Sequence, residues 1–269
     1  MRVKGQNLFE IANIRLVIDV VFTKDKSFKK FYLSSDQPNE IKIICRNNGL
    51  TSHYIEGYGR IYTDSFLFRS GEDVFVVSSD WKQGEILFPV YKIGNIGVFL
   101  LQFFYTHAVQ RHMIQFHSSL IDYCGHGLMF LGPSGIGKTT QAELWNQYRD
   151  ALIINGDIVF VQETDKSFLG WGTPWHGSSP YCENANVPVD ALIVLKQAPE
   201  NSIRKLEGFE KVTAVSNSVF YPRWLENGME LCLETLDHLL SKLPVYELSC
   251  RPDEEAVELT EKTIFGREH

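Results

Sequence analysis

Cysteine is sparse and scattered here. Cys45, Cys124, Cys182, Cys232 and Cys250 are odd in number, lie far apart and form no C-x-x-C pair. That excludes a disulfide framework and a zinc-ribbon type of site, and points to reduced thiols in a cytosol. Long apolar runs are missing as well. The greasiest stretch, Ile96 to Tyr105, covers about ten residues, too few to cross a bilayer, and reads as a buried helix. The first residues, Met1 to Asn7, lack the apolar core of a signal peptide. The expectation is a cytoplasmic protein with no membrane partner. Basic charge is not in excess. A net charge of −7 with no Lys/Arg stripe argues against nucleic acid as a partner. The lysines at 24, 26, 29 and 30 are interleaved with Asp25 and polar residues and fit a solvated face. There is no internal repeat, no G-x-S-x-G elbow beside His117-Ser118-Ser119, and no G-x-G-x-x-G dinucleotide fingerprint.

What remains is the composition of a soluble globular chain, 269 residues long, 44% hydrophobic and 22% charged. That length accommodates one large domain or two ordinary ones. Period-two patterns dominate its first hundred or so residues. Ile11, Ile14, Leu16 and Ile18 fall in one β-like run, and Ile41, Ile43 and Cys45 alternate in another. Further β-rich runs at 58–68, 74–78 and 86–91 are separated by Gly- and Asp-bearing turns. An antiparallel sheet of about five strands is expected, with a short helix near Ser27 to Tyr32. The texture changes at Gly94-Asn95-Ile96-Gly97, after which Leu101, Phe104, Tyr105, Ala108, Val109 and His112 recur at helical spacing up to Ile114. A domain boundary is placed there: residues 1–95 as a β-rich N-terminal domain for partner or substrate recognition, and 96–269 as the second domain.

The second part carries the strongest motif. Gly132-Pro133-Ser134-Gly135-Ile136-Gly137-Lys138-Thr139 fits the P-loop pattern G-x-x-x-x-G-K-[ST]. An apolar strand, Leu128 to Leu131, precedes it, and a helix-forming run from Thr140 follows. Glycines let a backbone turn its N–H groups inward, and a helix N-terminus adds partial positive charge. Residues Pro133 to Thr140 are therefore candidate binders of nucleotide phosphates. Lys138 would reach the β- and γ-phosphates and Thr139 would ligate Mg²⁺. A hairpin is expected before the loop, turning at Gly125-His126-Gly127. Strands follow at Ala151–Asn155, Ile158–Val161, Asp190–Leu195 and Val245–Leu248. Helices are expected at about 208–220, 224–240 and from Asp253. Asp157, at a strand end that can lie beside the loop, is a candidate for holding Mg²⁺ or accepting a proton. Trp175 and His176, in a Gly/Pro/Ser loop, and Arg204, after a buried strand, are candidate contacts to a substrate.

From His117 onward the chain resembles the HPr serine kinase and phosphoenolpyruvate carboxykinase group of P-loop proteins. His117, Asp122, the hairpin glycines, the loop itself and then Asn155-Gly156-Asp157 follow that group's order and spacing. The resemblance is nearest to small HPr-kinase-like proteins that phosphorylate peptides, such as lasso-peptide precursors. It covers roughly residues 100 to 265. It implies a mixed α/β P-loop domain, ATP and Mg²⁺ as cofactors, a serine hydroxyl of a peptide or small protein as acceptor, and room for a homo-oligomer. His117 would lie near the transferred phosphate. The chain departs from the pattern at Gly156, where the group has a second aspartate, and lacks its later glycine-rich, glutamate-bearing segment. HPr itself is therefore not the expected acceptor. A kinase of small molecules and a non-catalytic nucleotide-binding regulatory module are the competing readings.

Overall fold

The structure is a computed structural model that describes residues 6–19, 26–34, 38–47, 65–88 and 96–266. The chain divides into two compact units, Met1–Ala108 and Val109–His269. In the first, β1 (Gln6–Ile11) and β2 (Ile14–Asp19) form a hairpin. Ala12 and Asn13 between them both take positive φ, the twist that a tight two-residue turn needs. A short helix, α1 (Lys26–Lys29), then β3 (Ile41–Asn47), β4 (Ser65–Ser70), β5 (Asp73–Ser78) and β6 (Gln83–Phe88) follow. They join in the order β1-β2-β3-β6-β5-β4. The sheet is mixed rather than antiparallel, because β2, β3 and β6 run parallel. Parallel neighbours need long connections, supplied by the α1 segment and by the intervening β4–β5 hairpin, and alternation within a strand carries no sign of this. Helix α2 (Ile96–Val109) lays Phe99 and Phe103 on Phe75, with ring centroids 5.5 and 5.9 Å apart. The strands expected at 58–68 and 86–91 lie partly outside the described residues, as does the change of texture at 94–97.

The helical pattern expected to run to Ile114 ends at Val109. His112 takes a left-handed φ of 54°, and β7 (Met113–Tyr123) starts immediately after it. Strand β7 is the spine of the second unit. It pairs antiparallel with β8 (His126–Leu131) across the two-residue turn Cys124-Gly125, whose positive φ values again match a hairpin turn. Its first half pairs with β10 (Ile158–Glu163) and the two-residue β14 (Val219–Phe220). Its second half pairs with β9 (Leu152–Asn155). Beyond β8 come β12 (Asn186–Gln197) and β15 (Val245–Cys250), both parallel to it, and then β13 (Ser202–Leu206), antiparallel at the end of the row. Strand β11 (Phe168–Trp171) joins β10 to the start of β12.

Helix α3 (Lys138–Arg149) buries Lys138, Gln141, Ala142 and Trp145, a stripe at i, i+3, i+4 and i+7 facing the sheet. Trp145 is fully buried against Tyr123, with ring centroids 5.2 Å apart. Helices α4 (Gly208–Ser216), α5 (Gly228–Lys242) and α6 (Glu254–Phe265) complete the unit. Asp253 caps α6 by accepting the Ala256 N–H at 3.2 Å. The helix expected at 208–220 is shorter, because Val219 and Phe220 leave it to pair with β7.

Trp145 sets the seat of α3. Replacing it with alanine is expected to cost about 3–5 kcal/mol through the cavity left behind. A drop in the urea midpoint with an unchanged slope would register this; an unshifted midpoint would contradict that packing.

Candidate functional site

The loop between β8 and α3 holds the first group of candidate residues. Gly132, Gly135 and Gly137 take φ of 139°, 79° and 115°, a backbone route that L side chains resist. Gly137 sits at the N-cap of α3 and no side chain caps the helix. Gly137 and the first-turn residues Lys138, Thr139 and Thr140, whose N–H groups have no partner within a helix, line the cleft. Lys138 is buried, 6% exposed, and its Nζ donates to the carbonyls of Gly132 and Pro133 at 3.0 and 3.2 Å. Burial holds its pKa below the ordinary 10.5, and the negative charge of Asp157 partly opposes that shift.

The opposite wall comes from β7 and the β9–β10 turn. His117 Nε2 lies 3.0 Å from Asp157 Oδ1, with both side chains partly exposed. The Ser118 N–H donates to the Asp157 carbonyl at 2.9 Å. The Ser119 hydroxyl donates to the Lys138 carbonyl at 2.8 Å. Thr139 Oγ1 donates to the Gly156 carbonyl at 3.2 Å. Together these bonds tie the loop, its helix and the acidic turn to three consecutive residues of one strand. The walls enclose a cleft of about 270 Å³, lined among others by His117, Ser134, Lys138, Thr139, Asp157 and Ser179.

Two features of this wall have no plain signal in the sequence. Asn155 is fully buried and accepts the N–H groups of Asp157 and Ile158 at 2.9 and 3.0 Å. Its amide nitrogen donates to the carbonyls of Thr173 and Trp175 at 2.9 and 3.2 Å. The Trp175–Ser179 loop is thereby fastened behind Asp157. Ser179 then occupies the space beside Gly156: a Cβ at position 156 would stand 1.9 Å from Ser179 Oγ. The glycine that stands where a second aspartate is expected is a steric requirement of this loop. Gly177, at φ 58°, backs onto the carboxylate, where a Cβ would meet Asp157 Oδ2 at 2.4 Å.

The loop residues Ser134 to Thr140 that line the cleft, apart from Ile136, converge with His117 and Asp157. Pro133 lies outside the lining and meets Lys138 through its carbonyl. Trp175 is buried in the supporting loop. His176 donates from Nδ1 to the Ser179 carbonyl and shapes the loop from behind. Arg204 stands apart on β13, ion-paired to Glu210 and to Glu247, and these carboxylates raise its pKa above the ordinary arginine value. Glu247 also holds Lys196.

Chemically, the cleft offers backbone N–H donors and a buried ammonium to a polyanion. Thr139 and Asp157 form an all-oxygen pair suited to a hard dication, which would complete its shell with ligand oxygens and water. Among the described residues no group of three or more His, Cys, Asp and Glu converges as a metal cage. The His117–Asp157 pair can take up a proton. No described helix is long and apolar enough to cross a membrane.

No protein-family model matches the chain. Over 97 residues, 36% of its length, it is 28% identical to a HPr kinase/phosphorylase of Mycoplasmopsis pulmonis. That segment is 27% of the relative, so the chain spans about a quarter of the curated protein it matches. Among solved structures, the HPr(Ser) kinase/phosphatase from Coxiella burnetii aligns at 11% identity with a TM-score of 0.34, over 55% of this chain and 95% of that one.

Inserting the second carboxylate tests the steric reading. Gly156→Asp is expected to destabilise the protein by about 1–3 kcal/mol through overpacking. Adding Ser179→Gly should recover most of the loss. Thermal melts of the three proteins decide this, and a single variant as stable as the parent would contradict it.

Proposed function

We propose that this chain, HPr kinase-like in sequence over 97 residues, is an ATP- and Mg²⁺-dependent kinase. It transfers the γ-phosphate to a serine hydroxyl of a peptide or small protein, with residues 96–269 as the catalytic domain. The observation that carries this reading is the His117–Asp157 pair facing the glycine loop and Lys138 across one cleft. An ATPase needs only to orient water, whereas a kinase needs a carboxylate beside the transferable phosphate to take the acceptor's proton.

In this reading the triphosphate lies along the N–H groups of Gly135 and of Gly137 to Thr140. Lys138 exchanges its contacts with the Gly132 and Pro133 carbonyls for the β- and γ-phosphate oxygens. Thr139 and Asp157 fit Mg²⁺ by donor type, and the ion when bound would offset charge on the phosphates. Asp157 accepts the proton of the attacking hydroxyl. As the new phosphorus–oxygen bond forms, the bond from the γ-phosphorus to the bridging oxygen breaks and ADP departs. His117, at 3.0 Å, holds the carboxylate in place and balances its charge when protonated. Asn155 fixes the backbone that presents Asp157. Phe220 supports a peptide acceptor: it is 45% exposed, with its ring centroid 6.2 Å from that of His117, and offers an apolar wall to a residue flanking the serine.

Asp157→Asn should lower transfer to a serine peptide by at least about 100-fold while nucleotide affinity changes only a few-fold. Labelled-phosphate transfer and equilibrium binding, measured side by side, check this. Transfer at the parental rate would overturn the assignment.

Lys138 adds a pH dependence. Burial lowers its folded-state pKa, so its charge is lost at a lower pH than an ordinary lysine's as pH rises. Affinity for tripolyphosphate should therefore fall on the alkaline side, and Lys138→Ala should flatten that fall. A parallel fall in the variant would assign the titration to another group.

A further inference from the structure

We propose that a nucleobase seats in a second cleft on the other side of the glycine loop, where Gln141 Oε1 accepts a hydrogen bond from the base's exocyclic amine. The proposal rests on the triphosphate reading above and extends it to the rest of the nucleotide.

This cleft, of about 370 Å³, lies within the size range of small-ligand pockets. It shares Gly135, Gly137 and Thr140 with the first cleft. A ligand whose phosphates lie along the loop can therefore extend its other end around the start of α3. The floor includes Leu195, Ala198, Cys250 and Pro252, an apolar surface for a flat heterocycle. Burial pushes the Cys250 thiol up to about 11, so it is neutral at physiological pH. The two cations on the rim are already balanced. Lys196 pairs with Glu247 at 2.5 Å, and Arg251 pairs with Asp253 and Glu255 at 2.8 and 2.7 Å. Lys138 in the first cleft meets only carbonyls by hydrogen bond. Charge thus divides the two clefts: the first suits an anion, the second an uncharged ring.

Gln141 supplies the polar contact. It lines the second cleft and is 3% exposed. Its Nε2 donates to Cys250 Sγ at 3.2 Å, while Oε1 is buried with no hydrogen-bond partner. Buried acceptors are normally satisfied, and an unmade bond there is a cost that a ligand donor removes. The amines of adenine and of guanine both supply such a donor.

Calorimetry on the full chain with Mg²⁺ tests this using ATP, GTP, purine riboside triphosphate, which has no exocyclic amine, and tripolyphosphate. At least one amino-bearing nucleotide should bind about tenfold more tightly than purine riboside triphosphate, the scale of one hydrogen bond. Whether ATP or GTP holds the advantage identifies the base. Gln141→Met, once shown to melt like the parent, should lose that advantage. If the variant does not fold, the parental series alone decides. Equal affinity for the three nucleotides, or an advantage kept in Gln141→Met, overturns the base subsite. Tripolyphosphate isolates the other reading: binding that ignores Lys138→Ala overturns the phosphate site, whatever the nucleotide series gives.

Discussion

Three consecutive residues of one strand hold the candidate site together. His117 meets the Asp157 carboxylate, the Ser118 N–H holds the Asp157 backbone, and the Ser119 hydroxyl holds the backbone of Lys138. Because side chains alternate along a strand, His117 and Ser119 share a face while Ser118 acts through its main chain. The ammonium on one wall and the carboxylate on the other are thus registered against a single rigid element. A one-residue slip of β7 would exchange these faces and separate the two charges.

The second constraint is space. Ser179 stands where any side chain at position 156 would begin, so the site is built around one carboxylate. The buried amide of Asn155 stiffens that arrangement by satisfying both the acidic turn and the loop behind it. In a medium of low dielectric such a satisfied network favours one geometry, since each broken bond leaves a buried polar group unpaired. Chemistry that relies on a single carboxylate depends on that carboxylate being well placed.

The parts of this site that were legible in the sequence are local ones. The glycine loop, the strand before it and the helix after it depend on neighbours in the chain, and their residues announce them. Asp157 was legible because an acidic residue in a glycine-bearing turn between two apolar strands is conspicuous. The long-range parts were not. The helical pattern continues past Val109, but a left-handed His112 and the pairing of β7 with β10 override it. Val219 and Phe220 lie at the end of a helical run and yet pair with the edge of β7, as their strand-favouring side chains allow. Arg204 looked available because two carboxylates that neutralise it, Glu210 and Glu247, lie on other elements. Trp175 and His176 suggested contact to a ligand, whereas Trp175 is buried in the loop that supports Asp157 and His176 bonds within it. Gln141 looked like an ordinary helical residue, since nothing local marks a buried oxygen left without a donor.

The most direct measurement is a crystal structure of the protein with Mg²⁺ and a non-hydrolysable ATP analogue. The γ-phosphate should lie within hydrogen-bond distance of Lys138 Nζ, with the Asp157 carboxylate facing it from the β7 side. Phosphates bound away from the glycine loop, or a γ-phosphate turned away from Asp157, would contradict a transfer site built on His117, Ser118 and Ser119.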